Sequence, residues 1–167
     1  MRLVQCLFAV MIVLALPARA EAPAPSFEER LLAAHNAERE RWGKEPLVWN
    51  ESLAQQAQAW AHALAANGMF THARERYGAG ENLWRGNSDR LTAEQMVGAF
   101  IAEKRYFRPG YFPDVSTTGD WMDVGHFTQL IWPATRQVGC AMATGQGYDV
   151  LVCRYYPAGN VFGELVR

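Results

Sequence analysis

The sequence has few cysteines, no excess of positive charge and only one long apolar run. Three cysteines in 167 residues exclude the disulfide-dense class of small secreted domains. Sixteen Lys and Arg residues stand against 17 Asp and Glu, so the net charge is −1 and a basic nucleic-acid-binding surface is excluded. No internal repeat or low-complexity segment interrupts the chain. The length therefore predicts one domain of ordinary size.

The one long apolar run lies at the start of the chain. Arg2 precedes Leu3–Leu16, and Ala18–Ala20 has the small-x-small form of a signal-peptidase site. A transmembrane helix needs ~20 apolar residues, so this run is short for one. We therefore expect no membrane span after cleavage, and a secreted or periplasmic protein. The predicted segments are a secretory signal peptide over residues 1–20, a disordered lead-in over 21–26 and a folded domain over 27–167.

Removal of the signal peptide would leave an acidic chain with an even number of cysteines. It would take away two arginines and Cys6, leaving 14 basic and 17 acidic residues and a net charge of −3. Cys140 and Cys153 would remain, and a pair of cysteines in an exported protein predicts a disulfide. Both flank the Gly-rich turn Gly145–Tyr148. A hairpin centred between residues 146 and 147 would place the two cysteines opposite each other.

Capping residues and alternating patterns predict helices first and a β-hairpin last. Capping boxes and an N-cap asparagine mark the helix starts, and strands rich in Val, Cys and Tyr follow. The predicted elements are helices opening at Ser26–Glu29, at Asn50 and at Thr92–Gln95, a long irregular loop over Arg108–Asp120, and strands over Val138–Ala143 and Asp149–Tyr156. The third helix is expected to run to about Phe107.

Two polar residues stand out against the apolar pattern around them. Glu103 falls on the apolar stripe of the third helix, where an unpaired carboxylate costs free energy. The alternative is a boundary carboxylate that bonds to Arg105 or Tyr106. His126 lies in Gly125–Trp132, whose apolar spacing predicts one turn of helix. The alternative here is a histidine that only caps or fills a core helix.

Six motifs occur together in a characteristic order along the chain. They are His35–Asn36-x-x-Arg39, Thr71–His72, Gly80–Leu83, Glu103–Tyr106, Gly125–Trp132 and Val152–Asn160. With these motifs the chain resembles the CAP superfamily of cysteine-rich secretory, antigen-5 and pathogenesis-related proteins. The resemblance covers about Phe27 to Phe162. With one cysteine pair and no cysteine-rich C-terminal extension, the chain is similar to the single-domain bacterial members.

The resemblance implies both a fold and a site. The fold is α+β, a three-layer α–β–α sandwich with a central antiparallel sheet. The site is a shallow cavity lined by four residues: His72, Glu81, Glu103 and His126. Two imidazoles and two carboxylates suit a divalent cation, with Zn²⁺ the first choice. The alternative is a hydrogen-bonded polar cluster that holds loops together.

Three classes of function fit these residues, and we favour a binding protein over an enzyme. Several relatives bind lipids or sterols, and the loop Arg108–Asp120 offers Tyr111 and Phe112 as exposed rings for a small apolar ligand. A zinc-dependent hydrolase or protease is the second class, but the four serines lie at helix starts or in loops without an adjacent histidine. A secreted protein-interaction module is the third. We expect a monomer.

Overall fold

The computed structural model describes residues 23–88 and 91–167. The predicted signal peptide, its cleavage site and the first two residues of the lead-in lie outside this part of the chain. Residues 23–26 are exposed and belong to no helix or strand. Within the described ranges no helix is both long and apolar enough to cross a membrane.

Within the described ranges the chain forms four α-helices, and three of them start at the predicted caps. They are α1 (Phe27–Arg41), α2 (Glu51–Asn67), α3 (Ala93–Ala102) and α4 (Gly125–Leu130). Capping boxes at Ser26 and Thr92 satisfy the first amides of α1 and α3, and the Asn50 side chain accepts from the Leu53 amide at the start of α2. The third helix is shorter than predicted, because the chain tightens into a 3₁₀ turn over Glu103–Tyr106.

In the described part of the chain, six strands form two sheets. They are β1 (Val48–Trp49), β2 (Gly80–Asn87), β3 (Gly110–Tyr111), β4 (Gln137–Gly145), β5 (Tyr148–Tyr156) and β6 (Leu165–Val166). The main sheet has the order β1-β4-β5-β2, and β3 pairs with β6. The main sheet is antiparallel apart from β1, which runs parallel to β4. The central antiparallel sheet predicted from the resemblance is therefore present, with a two-residue parallel strand at its edge.

The terminal hairpin has the predicted register. Gln146 and Gly147 both have positive φ, 53° and 82°, as a tight hairpin turn requires. Cys140 and Cys153 are cross-strand partners, and a disulfide joins them. The predicted pairing is confirmed.

Alternate residues of the hairpin face two separate cores, which makes the domain three layers thick. Cys140, Leu151 and Tyr155 belong to the larger core, which they share with α1, α3 and α4. Ala141 and Val152 belong to a smaller core with α2. Because side chains alternate along a strand, one hairpin serves both layers. The α–β–α sandwich is confirmed, and the ends of its strands and helices supply the polar cavity.

Candidate functional site

The first histidine–carboxylate pair joins a loop to the edge strand of the main sheet. Glu81, the second residue of β2, has a fully buried side chain. Its Oε1 accepts hydrogen bonds from His72 Nδ1 over 2.7 Å and from the Ala73 amide over 3.1 Å. On the neighbouring strand, Arg154 Nε lies 3.1 Å from the other carboxylate oxygen. The His72 ring is 52% exposed and so can reach solvent or a ligand.

The second pair joins the 3₁₀ turn after α3 to the start of α4. Glu103 Oε1 accepts from His126 Nδ1 over 2.6 Å, and Oε2 accepts from the amides of His126 and Phe127 over 2.9 and 3.1 Å. The His126 ring stacks on Phe100, with 5.1 Å between centroids. These contacts fix the ring in two directions, and neither Arg105 nor Tyr106 is the hydrogen-bond partner of Glu103.

Both histidines therefore carry their proton on the same nitrogen. A carboxylate oxygen can only accept, so Nδ1 donates in each pair and the neutral ring keeps its lone pair on Nε2. The two carboxylates also hold backbone amides, which fixes their own positions. This is the arrangement by which proteins orient a metal-binding imidazole.

The two pairs meet at one cavity of about 560 Å³. His72, Glu81 and His126 line it, whereas Glu103 lies behind His126 and is not part of the lining. Trp121 and Met122 also line this cavity. Among the residues that the structure describes, no three of the four predicted site residues bring one ligand atom each within 4.8 Å of the others. Glu81 and Glu103 thus serve as hydrogen-bond partners of the two imidazoles.

A tighter group of nominal metal ligands lies in the core. His35, Cys140 and Cys153 bring one ligand atom each within 4.8 Å of one another, and all three are buried. The two sulfurs are joined in the disulfide, so neither is a thiolate. His35 in turn bonds to Leu31 and Tyr155. This group is therefore structural.

Asn82, which sequence reasoning did not single out, supports the cavity from behind. Its Nδ2 donates to the His126 carbonyl over 3.0 Å and to the Tyr155 hydroxyl over 3.2 Å. The Tyr155 hydroxyl lies 2.8 Å from His35 Nε2. The chain of bonds runs from α1 through the sheet to α4. Asn82 and Tyr155 both occur in the quoted motifs, but no local pattern shows that they meet.

The arginine of the first motif, Arg39, is buried and makes structural hydrogen bonds. Arg39 donates to the carbonyls of Leu130, Trp132 and Thr135 over 2.9 to 3.1 Å, at the end of α4. It also donates to the Glu45 carbonyl. Burial lowers the pKa of Arg39 to about 10. The guanidinium thus donates hydrogen bonds to carbonyls at the end of the helix that lack a partner within the helix.

The two rings predicted to contact an apolar ligand lie in different environments. Tyr111 is 65% exposed on β3. Phe112 is only 1% exposed and packs edge-to-face on Trp121, Trp132 and Phe162. The expectation that Phe112 is exposed is wrong, because the chain turns after β3 and its ring packs against three other aromatic side chains.

A second cavity, of about 730 Å³, opens on the other side of His72. It lies between α2 and the segment 69–77, and we call it the α2 cleft. Its lining residues are Gln56, Ala59, Trp60, Met69, Thr71, His72, Ala73, Arg74, Glu75, Tyr77 and Arg154. Trp60 Nε1 donates to the Thr71 carbonyl over 3.1 Å and so fixes the indole on this wall. His72 is the residue common to both cavities.

Comparisons with known proteins place the chain in one protein family. The profile described as the cysteine-rich secretory protein family, CAP, matches residues 32–155. The chain is 37% identical over 142 residues to pathogenesis-related protein 1C of Nicotiana tabacum, covering 84% of this chain and 81% of that protein. It is 33% identical over 144 residues to the Golgi-associated plant pathogenesis-related protein 1 of Homo sapiens, covering 83% and 87%.

Solved structures share the fold. The crystal structure of NaASP2 with Zn²⁺ superposes with a TM-score of 0.69 at 23% identity and covers 81% of this chain and 82% of that chain. At this identity the likeness shows the fold alone.

Proposed function

Because this chain belongs to the cysteine-rich secretory protein family, CAP, we propose that it is an exported binding protein that holds a divalent cation, Zn²⁺ first, and an apolar ligand beside it. The proposal of a cation site is supported by the hydrogen bond from Nδ1 of each imidazole to a carboxylate, at 2.7 and 2.6 Å. His72 and His126 would be the ligands. Glu81 and Glu103 would hold both rings in this orientation.

The donor set fits the cation. Imidazole nitrogen is a preferred ligand of Zn²⁺, and water completes the coordination of open sites. The fold-related NaASP2 has been crystallised with Zn²⁺, which supports the same choice here. When bound, the cation would act as a fixed positive charge at the cavity wall. The protein would present the Nε2 lone pairs of both histidines to the cation, and the hydrogen bonds at Nδ1 would keep both rings from rotating.

Binding is favoured over covalent catalysis by what lines the polar cavity. Its lining, within the described residues, offers no Ser, Thr, Cys or Lys side chain as a nucleophile. Both site carboxylates are already committed to imidazoles and amides. The zinc-dependent hydrolase is the alternative, and an assay decides between them. We expect zinc-loaded protein to cleave neither peptide nor ester substrates faster than its His72→Ala/His126→Ala variant.

The first prediction concerns zinc affinity. We expect calorimetry on the processed protein to show one zinc site, and the His72→Ala/His126→Ala variant to lose it while remaining folded. Glu103→Gln should weaken zinc binding by about 10- to 100-fold, because the amide orients the ring but no longer attracts its proton as a carboxylate does. Acidification should release the cation as both rings take up protons.

His62→Ala is the matched control, because His62 is exposed and lies on α2 away from the polar cavity. It should leave zinc uptake unchanged. Unchanged uptake in the double variant would refute the site, whatever the result for Glu103→Gln.

The proposal of an apolar ligand is supported by a different part of the structure. Trp60, Met69 and Tyr77 form an apolar wall in the α2 cleft, directly beside His72. Tyr111, 65% exposed on β3, offers a second surface for the ligand, whereas the buried Phe112 does not. Tyr111→Ala is the usable test there, because Phe112→Ala would open the core. Uptake of a labelled sterol that falls with Tyr111→Ala would favour the β3 surface over the α2 cleft.

A further inference from the structure

The methionines in the described part of the chain fall into two groups. Met96 is 1% exposed in the larger core, and Met142 packs against that core. Met69 and Met122, by contrast, are 47% and 64% exposed. Met69 lines the α2 cleft and Met122 lines the polar cavity, and His72 lines both. The exposed thioethers thus lie at the two cavities, where a ligand can reach them.

The two imidazoles and Met122 are the side chains of the polar cavity that suit a soft metal ion. Nε2 of His72 and of His126 keeps its lone pair, because Nδ1 of each ring bonds to a carboxylate. Arg76 and Trp121 also line the cavity, but their nitrogens can only donate. Within the described residues, the thioether of Met122 is the sulfur donor of this lining.

The amide oxygens of the lining are less suited to such an ion. Gln129 Oε1 accepts from the Gly159 amide over 2.8 Å, and Asn160 Oδ1 accepts from the Thr128 hydroxyl over 2.7 Å. Carbonyl oxygens are also hard donors, which suit Mg²⁺ and Ca²⁺. Met122 is therefore the side chain that can add a third ligand to the two imidazoles.

The backbone of Met122 is held in place while its side chain stays free. Met122 lies in the 3₁₀ turn Trp121–Val124, directly before α4 and four residues before His126. Its amide donates to Asp120 Oδ1 over 2.9 Å, and its carbonyl accepts from the Gly125 amide. The unbranched side chain has three rotatable bonds and is exposed, so it can turn toward a bound ion.

Two imidazoles and one thioether discriminate between metals. Zn²⁺ in proteins takes Cys, His and carboxylate ligands, whereas a thioether is a soft donor that selects Cu(I), and imidazole suits copper as well. We infer that the polar cavity is also a Cu(I) site, with Nε2 of His72, Nε2 of His126 and Sδ of Met122 as its ligands. This inference rests on the proposed cation site and deepens it, because it adds a ligand and names a second metal.

The test supplies copper as Cu(I), kept reduced by ascorbate without oxygen, and measures its transfer from the coloured Cu(I) complex of bicinchoninate. We expect the processed protein to take up one Cu(I) per chain. Met122→Leu keeps the volume and apolar character of an exposed side chain and removes the sulfur. It should weaken Cu(I) binding by at least about tenfold, because even groups that only orient a ligand are worth about 10- to 100-fold. Zinc affinity should stay unchanged.

Met69→Leu is the matched control, because Met69 is also exposed but lines the α2 cleft and not the polar cavity. It should leave the affinities for Cu(I) and zinc unchanged. X-ray absorption at the copper edge gives an independent readout. Wild-type protein should show a sulfur neighbour of copper, and Met122→Leu should show none. Both proteins contain the same disulfide, so its sulfurs cannot produce this difference.

The outcomes separate this inference from the proposed function. If Met122→Leu binds Cu(I) as tightly as wild type, or if copper in wild type has nitrogen neighbours alone, the thioether-ligated site is refuted while the zinc site stands. An equal loss in Met122→Leu and Met69→Leu would also overturn the assignment to the polar cavity. If the His72→Ala/His126→Ala variant takes up both metals like wild type, the proposed cation site fails as well.

Discussion

At the scale of single residues, His35 is the group that links the fold most directly to pH. The ring is fully buried, Nδ1 donates to the Leu31 carbonyl over 2.8 Å, and Nε2 accepts from the Tyr155 hydroxyl over 2.8 Å. Burial lowers the pKa of His35 to about 4, with a smaller lowering from the nearby Arg39 charge. The folded protein therefore holds this ring neutral well below the pH at which the unfolded chain would protonate it.

The folded pKa lies below the unfolded one, so the unfolded state binds the extra proton first as pH falls. The contribution of His35 to the free energy of unfolding should be constant above about pH 6.5. It should decline by about 3 kcal/mol in total between that pH and about pH 4. Urea unfolding at pH 7, 5.5 and 4.5 measures the slope.

His35→Phe separates this effect from other titrations. The variant should be less stable at pH 7, because the Tyr155 hydroxyl loses its acceptor, but its stability should change little between pH 7 and 4.5. Carboxylates ordinarily titrate mostly below the range from pH 7 to 4.5. The hydrogen bond from Arg30 lowers the pKa of Glu94 further, to about 2. An equal slope in wild type and variant would contradict the assignment to His35.

At the scale of elements, the close contact of α2 with the hairpin depends on small residues. Gly139 on β4 lies against the backbone of α2, and an added Cβ would clash with the Ala54 amide. The alanine-rich face of α2 serves the same approach. Gly139→Ala must therefore push the helix and sheet layers apart.

We expect Gly139→Ala to lower the free energy of unfolding by about 1–3 kcal/mol, as overpacked core positions do. Gly98→Ala in α3 is the control, because nothing lies within 4 Å of its added Cβ. That change should be neutral or stabilising by up to about 1 kcal/mol, since alanine is the better helix former. Equal loss in both variants would show that helix and sheet are not in tight contact.

The elements were predictable from sequence where one short stretch determines them. Caps fixed the starts of three helices, and the turn at Gln146–Gly147 fixed the register that pairs Cys140 with Cys153. The end of α3 was not predictable, because its apolar spacing continues past Ala102, whereas the Glu103 side chain bonds to amides of α4 that are distant in sequence. The same holds for β1, whose two residues gain their pairing only from β4.

The site shows the same division. Glu103 stood out because a carboxylate on an apolar stripe needs a partner, but that partner, His126, lies 23 residues away. Met122 gave no such signal, since nothing in the residues around it marks a thioether as a ligand. Its place in one cavity with His72 and His126 is visible only once β2, α4 and the segment 69–77 are packed together.

At the scale of the whole molecule, export and the disulfide belong together. The sequence predicts a processed chain that begins at Glu21, and the structure joins Cys140 to Cys153. Intact mass of exported protein should match residues 21–167 with one disulfide, and should rise on reduction by two hydrogens. A free-thiol titre of two per unreduced chain would contradict the bridge, and retention of residues 1–20 would contradict the signal peptide.

His72 belongs to two walls at once. It lines the polar cavity with His126 and the α2 cleft with Trp60, while Glu81 contacts both its ring and the Arg154 guanidinium. If both cavities bind ligands as proposed, the Glu81 carboxylate is the contact through which the two binding events would be coupled. Whatever factor a cation adds to or takes from the affinity of the cleft, the occupant of the cleft must impose on the cation in equal measure.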